Sequence, residues 1–206
     1  MLMALREDDP LAILAQEAEM PVVFGGRPVG LAPRWYVDVD NVGGARAATE
    51  HLISAGRTRV APICGRPDTE VGRARYRGYR DAMLAAGLEP YPPQAGDFTE
   101  FSGAHAMAAL LANHPDVEGV FAANDNMGVG ALRTLREAGR SVPGDVAVVG
   151  FDDLAVARVA DPPLTTVHQP IEGLGREMAR MLVALVDGQD PTPLILPTRL
   201  VTRASA

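Results

Sequence analysis

Short apolar runs alternate along this chain with longer segments of helical period, and that alternation constrains the fold more than any other feature. Strand, helix, strand, helix in that order predicts an α/β protein, a parallel sheet covered by helices on both faces. Arg59 to Cys64 reads as a strand. Arg73 to Ala86 follows as a helix with Gly87 at its C-terminal cap. A helix over Ser102 to Asn113 leads through His114-Pro115-Asp116 into a strand over Val117 to Ala123, and a helix over Asn126 to Ala138 stops at Gly139. Ala147 to Phe151 is a buried strand with Asp152-Asp153 at its carboxyl end. The front half reads as a helix from about Pro10 to Glu19, a strand over Met20 to Phe24, a Gly/Pro-rich stretch over Gly25 to Pro33, a strand over Trp35 to Val39 and a helix over Gly43 to Ala55. Ile171 to Val186 is a helix, and Leu194 to Thr202 an extended closing segment. Ligands of open α/β sheets bind beyond the carboxyl ends of the strands, which puts Asn124-Asp125 and Asp152-Asp153 at the candidate site.

Composition narrows the chemistry. With 206 residues, 47% hydrophobic and 22% charged, the chain can bury a sizeable core. Its formal net charge of -7 argues against this chain gripping nucleic acid by itself, since phosphate neutralisation needs a basic surface. Its basic residues are all arginine. Without lysine there is no Schiff-base or phosphate-loop lysine, and no Gly-x-Ser-x-Gly elbow is present. Gly128-Val129-Gly130 lacks the third glycine of a dinucleotide fingerprint and falls inside a helix. Catalysis is therefore not expected, nor is a cofactor. The single Cys64 lies in an apolar run and is expected to be buried, and the spacing of His51, His105, His114 and His168 does not form a metal site. No apolar run approaches a membrane span, and Met1 to Met20 carries Arg6, Glu7, Asp8, Asp9, Glu17 and Glu19 where a signal peptide would be apolar, so a cytoplasmic location is expected.

Six segments in order resemble the LacI family of bacterial transcription regulators, whose effector domains share the type I periplasmic-binding-protein fold. They are Pro21 to Pro28 (PVVFGGRP), Arg75 to Tyr79 with Ala86-Gly87-Leu88, Val120 to Ala131 (VFAANDNMGVGA), Val142 to Asp153 (VPGDVAVVGFDD), Pro163 to Val167 (PLTTV) and Leu196 to Val201 (LPTRLV). The resemblance implies two lobes joined by three crossovers around a small effector, a sugar or related molecule, and a homodimer. On that plan, 1–38 plus 169–188 form an incomplete N-terminal lobe, and 39–168 plus 189–206 form the C-terminal lobe. Operator DNA would be reached only through a helix-turn-helix headpiece absent from this sequence. Met1-Leu2-Met3-Ala4-Leu5 reads as the end of a buried strand, as though the chain began within a lobe. An exported sugar-binding protein of a transporter is the alternative with the same fold.

Carried over residue by residue, the resemblance assigns effector contacts to Arg75, Asp152, Asn124, Phe98 and Gln169. Arg75 offers a planar fork of donors to hydroxyls or a carboxylate; otherwise it is a solvated helix-start arginine. Asp152 can accept two hydroxyl hydrogen bonds, or serve as a turn aspartate. Asn124 can donate and accept at one hydroxyl, Phe98 can stack on a sugar ring or fill the core, and Gln169 lies in a crossover where contact and hinge are both open. Asp125 is expected to cap the helix at Asn126, and Asp153 the helix after it. Gly26 stands where some relatives carry an aspartate, so a polar contact from the first lobe is expected to be missing.

Overall fold

The computed structural model describes residues 1–3, 6–7, 9–17 and 20–206. In chain order the elements are β1 (Leu2–Met3), α1 (Pro10–Glu17), β2 (Phe24–Gly25), β3 (Tyr36–Val39), α2 (Asn41–Ser54), β4 (Val60–Cys64), α3 (Glu70–Ala85), β5 (Gln94–Ala95), α4 (Glu100–Asn113), β6 (Gly119–Ala122), α5 (Asp125–Glu137), β7 (Ala147–Asp152), α6 (Ala155–Val159), β8 (Thr165–His168), α7 (Ile171–Val186), β9 (Leu194–Leu196) and β10 (Arg199–Val201). They form two sheets, ordered β1-β2-β3-β9 and β10-β8-β7-β6-β4-β5. All pairings are parallel except β10 against β8.

The centre of the second sheet is buried on both faces, which is why β4, β6 and β7 are apolar almost throughout. On one face, Val60, Phe121, Val149, Phe151 and Val167 pack under Ala45, Ala48 and Leu52 of α2 and Tyr79 and Met83 of α3. On the other, Ile63, Val120, Ala122 and Val148 pack under Met107 and Leu110 of α4 and Met127, Ala131 and Leu135 of α5. Successive residues of β7, Val148 and Val149, thus enter opposite cores, as the period of two in a strand requires. Glycines let paired helices close up: a Cβ at Gly130 would meet the backbone oxygen of Glu100 at 2.1 Å, and one at Gly78 the backbone oxygen of Val42 at 2.2 Å. The first sheet is smaller, with Val23, Val37 and Val39 packed against Leu174, Met178, Met181 and Leu185 of α7.

Three crossovers join the lobes: Val39 to Asn41, His168 to Ile171, and Leu196 to Arg199. Two of them are tied together, since Asp40 N–H donates to Leu196 O at 2.9 Å and Thr198 Oγ1 donates to Asp40 O at 3.2 Å. Several expectations need correction. The closing segment does not belong to the second lobe alone: β9 pairs with β3 in the first sheet and only β10 pairs with β8, because Pro197, lacking a donor, interrupts the ladder between them. The lobe boundary after residue 188 therefore shifts to the third crossover, and Val39 ends a strand of the first sheet. The strand expected over Met20 to Phe24 is confined to Phe24–Gly25; Pro21 cannot donate to a ladder. Met1 and Met3 are exposed instead of buried, and Ala4 and Leu5 of the expected opening strand and Ala18 and Glu19 of the expected first helix lie outside the described residues.

Candidate functional site

A cavity of about 590 Å³ opens between the two sheets at the carboxyl ends of β2, β3, β4, β6 and β7. Its lining includes Arg27, Asp38, Asn41, Arg75, Phe98, Asn124, Asp152 and Gln169, so all five residues expected from the sequence meet in one place.

Arg75 occupies the second turn of α3 and is only 3% exposed, not a solvated helix-start residue. Its Nε donates to Asn41 Oδ1 at 2.9 Å and its Nη1 to Ala123 O at 2.6 Å, with Nη1 2.9 Å from Asp152 Oδ1. The guanidinium carbon stands 3.6 Å from the centre of the Phe151 ring, a stacked cation–π arrangement. Asp152 also accepts from Gln169 Nε2 at 2.9 Å. Burial pushes the Asp152 carboxyl above the usual range, and the adjacent Arg75 opposes that shift.

The polar wall continues into the first lobe. Asp38 Oδ1 accepts from Asn41 Nδ2 at 3.2 Å and from Val39 N–H at 2.8 Å, while its Oδ2 accepts from Arg27 Nε at 3.0 Å. Arg27, Asp38, Asn41, Arg75, Asp152 and Gln169 thus form one unbroken chain of hydrogen bonds across both lobes. The contact expected to be missing at Gly26 is compensated: a Cβ built there would lie 3.9 Å from Asp38 Oδ1, so the neighbouring strand brings a carboxylate to that wall. Asp38, Asn41 and Arg27 went unassigned in the sequence. The strand-end rule that singled out Asn124-Asp125 and Asp152-Asp153 applies equally to Asp38 and Asn41 at the end of β3, and would have found them.

Phe98, which also lines the cavity, has a left-handed φ of 71°, and its ring lies against Gly65, where a Cβ would approach it to 2.1 Å. Asn124 faces the cavity with its amide partly spent: Oδ1 caps α5 by accepting Met127 N–H at 3.0 Å, and Nδ2 donates to Phe98 O at 2.9 Å. The expected capping by Asp125 is therefore incorrect by one residue, since the extended backbone at Asn124 aims its side chain at the free N–H groups. Asp153 does not cap α6 either; the residue at that cap is Leu154, without a side-chain bond. Asp153 is bound by Arg203 and by His168 Nδ1 at 3.0 Å, and although burial opposes it, these partners hold its carboxyl below the usual range. Burial pushes the Cys64 thiol up to about 12, as befits a small apolar filler.

At the mouth the lobes touch. Glu7 N–H donates to Asp68 O at 2.9 Å, and Glu7 Oε2 pairs with Arg73 Nη2 at 2.5 Å. Both side chains are half-exposed, so the pair is a weak clasp. Among the described residues no helix is long and apolar enough to cross a membrane.

Two largely parallel sheets, three crossovers and a polar cavity between them define a periplasmic-binding-protein-like domain, and the family model for a periplasmic binding protein-like domain matches residues 49–206. The chain belongs to that family, and within it to the LacI family. It is similar to the HTH-type transcriptional regulator CelR of Thermobifida fusca, 51% identical over 211 residues covering 100% of this chain and 62% of the relative. A solved CelR–cellobiose complex superposes with a TM-score of 0.96, at 51% identity over 100% of this chain and 64% of that one. A LacI-family regulatory protein from Chloroflexus aggregans gives a TM-score of 0.90 at 33% identity, covering 99% of this chain and 75% of its own. The lac repressor dimer bound to operator and the anti-inducer ONPF gives 0.91 at 28% identity, covering 100% and 72%. The chain thus spans about three-fifths of the length of CelR. These relatives carry the names of regulators, not enzymes.

Proposed function

We propose that the cavity binds a short saccharide and that the chain is the sensor region of a LacI-type transcriptional regulator. The observation that carries this reading is the continuous wall from Arg27 to Gln169, which together with Phe98 lines a cavity of about 590 Å³. Carboxylates, amides and guanidinium forks at fixed spacing match the vicinal hydroxyls of a sugar, and an aromatic face matches its apolar side. Arg75, Asp152, Asn124, Phe98 and Gln169 are the proposed contacts of the sequence reading, joined by Asp38 and Arg27. The cavity has room for two sugar rings, and a β-linked glucose disaccharide such as the cellobiose named with CelR is the first ligand to try. No bond is made or broken: the site serves recognition, and filling it stabilises the lobes against each other, which is the signal. In the cell this would operate in the cytoplasm in a homodimer, with operator DNA held by a helix-turn-helix headpiece outside this sequence.

Titration calorimetry against cellobiose, glucose and ribose tests the reading. Saturable heat is expected with cellobiose and weaker or absent heat with the single sugars. Silence from every saccharide in a panel overturns it. The clasp supplies a kinetic test: Glu7→Gln is expected to speed cellobiose release by about two- to fivefold, the range a half-exposed ion pair supports. Stopped-flow dissociation measures this, and an unchanged rate removes the clasp from the closing motion.

A further inference from the structure

One buried charge has no part in the effector contacts. Asp125 opens α5 and is fully buried, yet Asn124 is the residue that caps the helix and lines the cavity. Asp125 Oδ2 accepts the backbone N–H of Leu154 at 2.7 Å, and its Oδ1 accepts the hydroxyl of Thr166. Leu154 directly follows Asp152 and Asp153, two consecutive non-glycine residues with φ of 108° and 59°. L-residues resist that left-handed conformation, so the turn persists only where its surroundings hold it. Thr166 lies on β8, which runs into the crossover bearing Gln169, and Gln169 in turn holds Asp152. Gly150 opens the way for the carboxyl: a Cβ there would lie 2.4 Å from Asp125 Oδ1. Strand, turn and crossover are therefore shaped around this one group.

We propose that Asp125 is a positioning residue for the cavity, its carboxyl tying the turn that aims Asp152 to the strand that leads into the second crossover. Its influence on affinity rests on the effector reading; the tie itself does not. The slot also makes the tie responsive to protons. Burial pushes the carboxyl up to about 7, the hydrogen bonds from Thr166 and Leu154 oppose this, and the charges of Asp152 and Asp153 add to it. The cations around the cluster are engaged by those two acids: Arg75 faces Asp152, while Arg203 and Arg158 face Asp153, which the His168 ring also meets.

The signs follow. The native state keeps a proton that the unfolded chain releases near 3.8, so this group's contribution to stability falls as pH rises from about 4 to about 7. An effector excludes water from the cavity and leaves Asp152 ionised against its hydroxyls, which strengthens the repulsion felt by Asp125 and favours its protonated form. Binding then takes up protons near neutrality, and affinity falls as pH rises through 7.

Asp125→Asn is the diagnostic variant, because the amide oxygen can still accept from Leu154 and the amide nitrogen can donate to Thr166. Cellobiose affinity, melting temperature and the backbone amide resonance of Leu154 are followed across the neutral range in both proteins. In the unsubstituted protein the affinity is expected to fall by about fivefold with rising pH, a modest coupling between two sites, and the Leu154 amide to titrate near 7 without sugar. In Asp125→Asn both are expected to be flat and unfolding to stay cooperative. A Leu154 amide indifferent to pH in the unsubstituted protein, or a variant that keeps the full pH profile, overturns the proposal. Absence of sugar binding at every pH counts against the effector reading instead, and the Leu154 amide still decides the role of Asp125.

Discussion

Arg75→Ala is expected to unfold at a temperature lower by about 10 °C, from a loss of about 3–5 kcal/mol, the usual result of removing one partner of a buried ion pair in a domain of this size. The guanidinium does not serve binding alone: it is 3% exposed and serves Asn41, Ala123 and Asp152 at once. Deleting it strands the Asp152 carboxylate with Gln169 as its remaining side-chain partner. The deficit should shrink as pH falls, since burial already raises the Asp152 carboxyl and protonation removes the stranded charge. Arg75→Met combined with Asp152→Leu should recover most of the lost stability and still bind no saccharide, because an apolar pair of similar volume avoids both desolvation costs. Thermal unfolding at neutral and mildly acid pH checks both variants. A melting temperature for Arg75→Ala within a degree or two of the parent would mean that Asp152 is solvated and the wall is not a single unit.

The same wall marks the boundary of what sequence could convey. Strands β4, β6 and β7 were legible because they are buried on both faces, and only continuous apolar runs satisfy that environment. Helix α7 was read over its full length, Ile171–Val186, because one of its faces meets the first sheet. The pairs Asn124-Asp125 and Asp152-Asp153 followed from their places at strand ends, and the family resemblance picked Asn124 and Asp152 from them. Elements whose partners are distant in sequence were harder. β2 and β9 have two and three residues and exist through pairing with other strands, β2 with β1 and β3 and β9 with β3, so local pattern overstated one and merged the other with β10. The roles of Asp125 and Asp153 depend on Thr166 and Leu154 in one case and Arg203 and His168 in the other. Helix-cap chemistry, which is local, was the available guess, and tertiary partners displaced it. Arg27 was missed for the same reason, since its link to Arg75 passes through Asp38 and through Asn41 on a crossover, whereas Asp38 lay within reach of the strand-end rule.

Phe151 separates packing from recognition within this wall. Its ring is fully buried between Tyr79, Val149 and Val167, a Cβ at Gly44 would meet it at 2.8 Å, and its face carries the Arg75 guanidinium. Phe151→Ala removes the ring and leaves a cavity, with an expected cost of about 3–5 kcal/mol. It also opens space into which the guanidinium can sink, so saccharide affinity should fall with stability. Phe151→Leu fills much of that volume. The direction of the guanidinium is set in its own plane by Asn41, Ala123 and Asp152, and the ring supplies height and an attraction of about 0.5–2 kcal/mol. Leucine retains the height, so the expected result is a clearly smaller loss of stability and an affinity within about threefold of the parent, the equivalent of well under 1 kcal/mol. Urea unfolding and cellobiose titration on the two variants give the comparison. If leucine weakens binding as much as alanine while unfolding later, the π face itself orients Arg75, and the hydrogen-bonded plane is not sufficient to present its fork to a ligand.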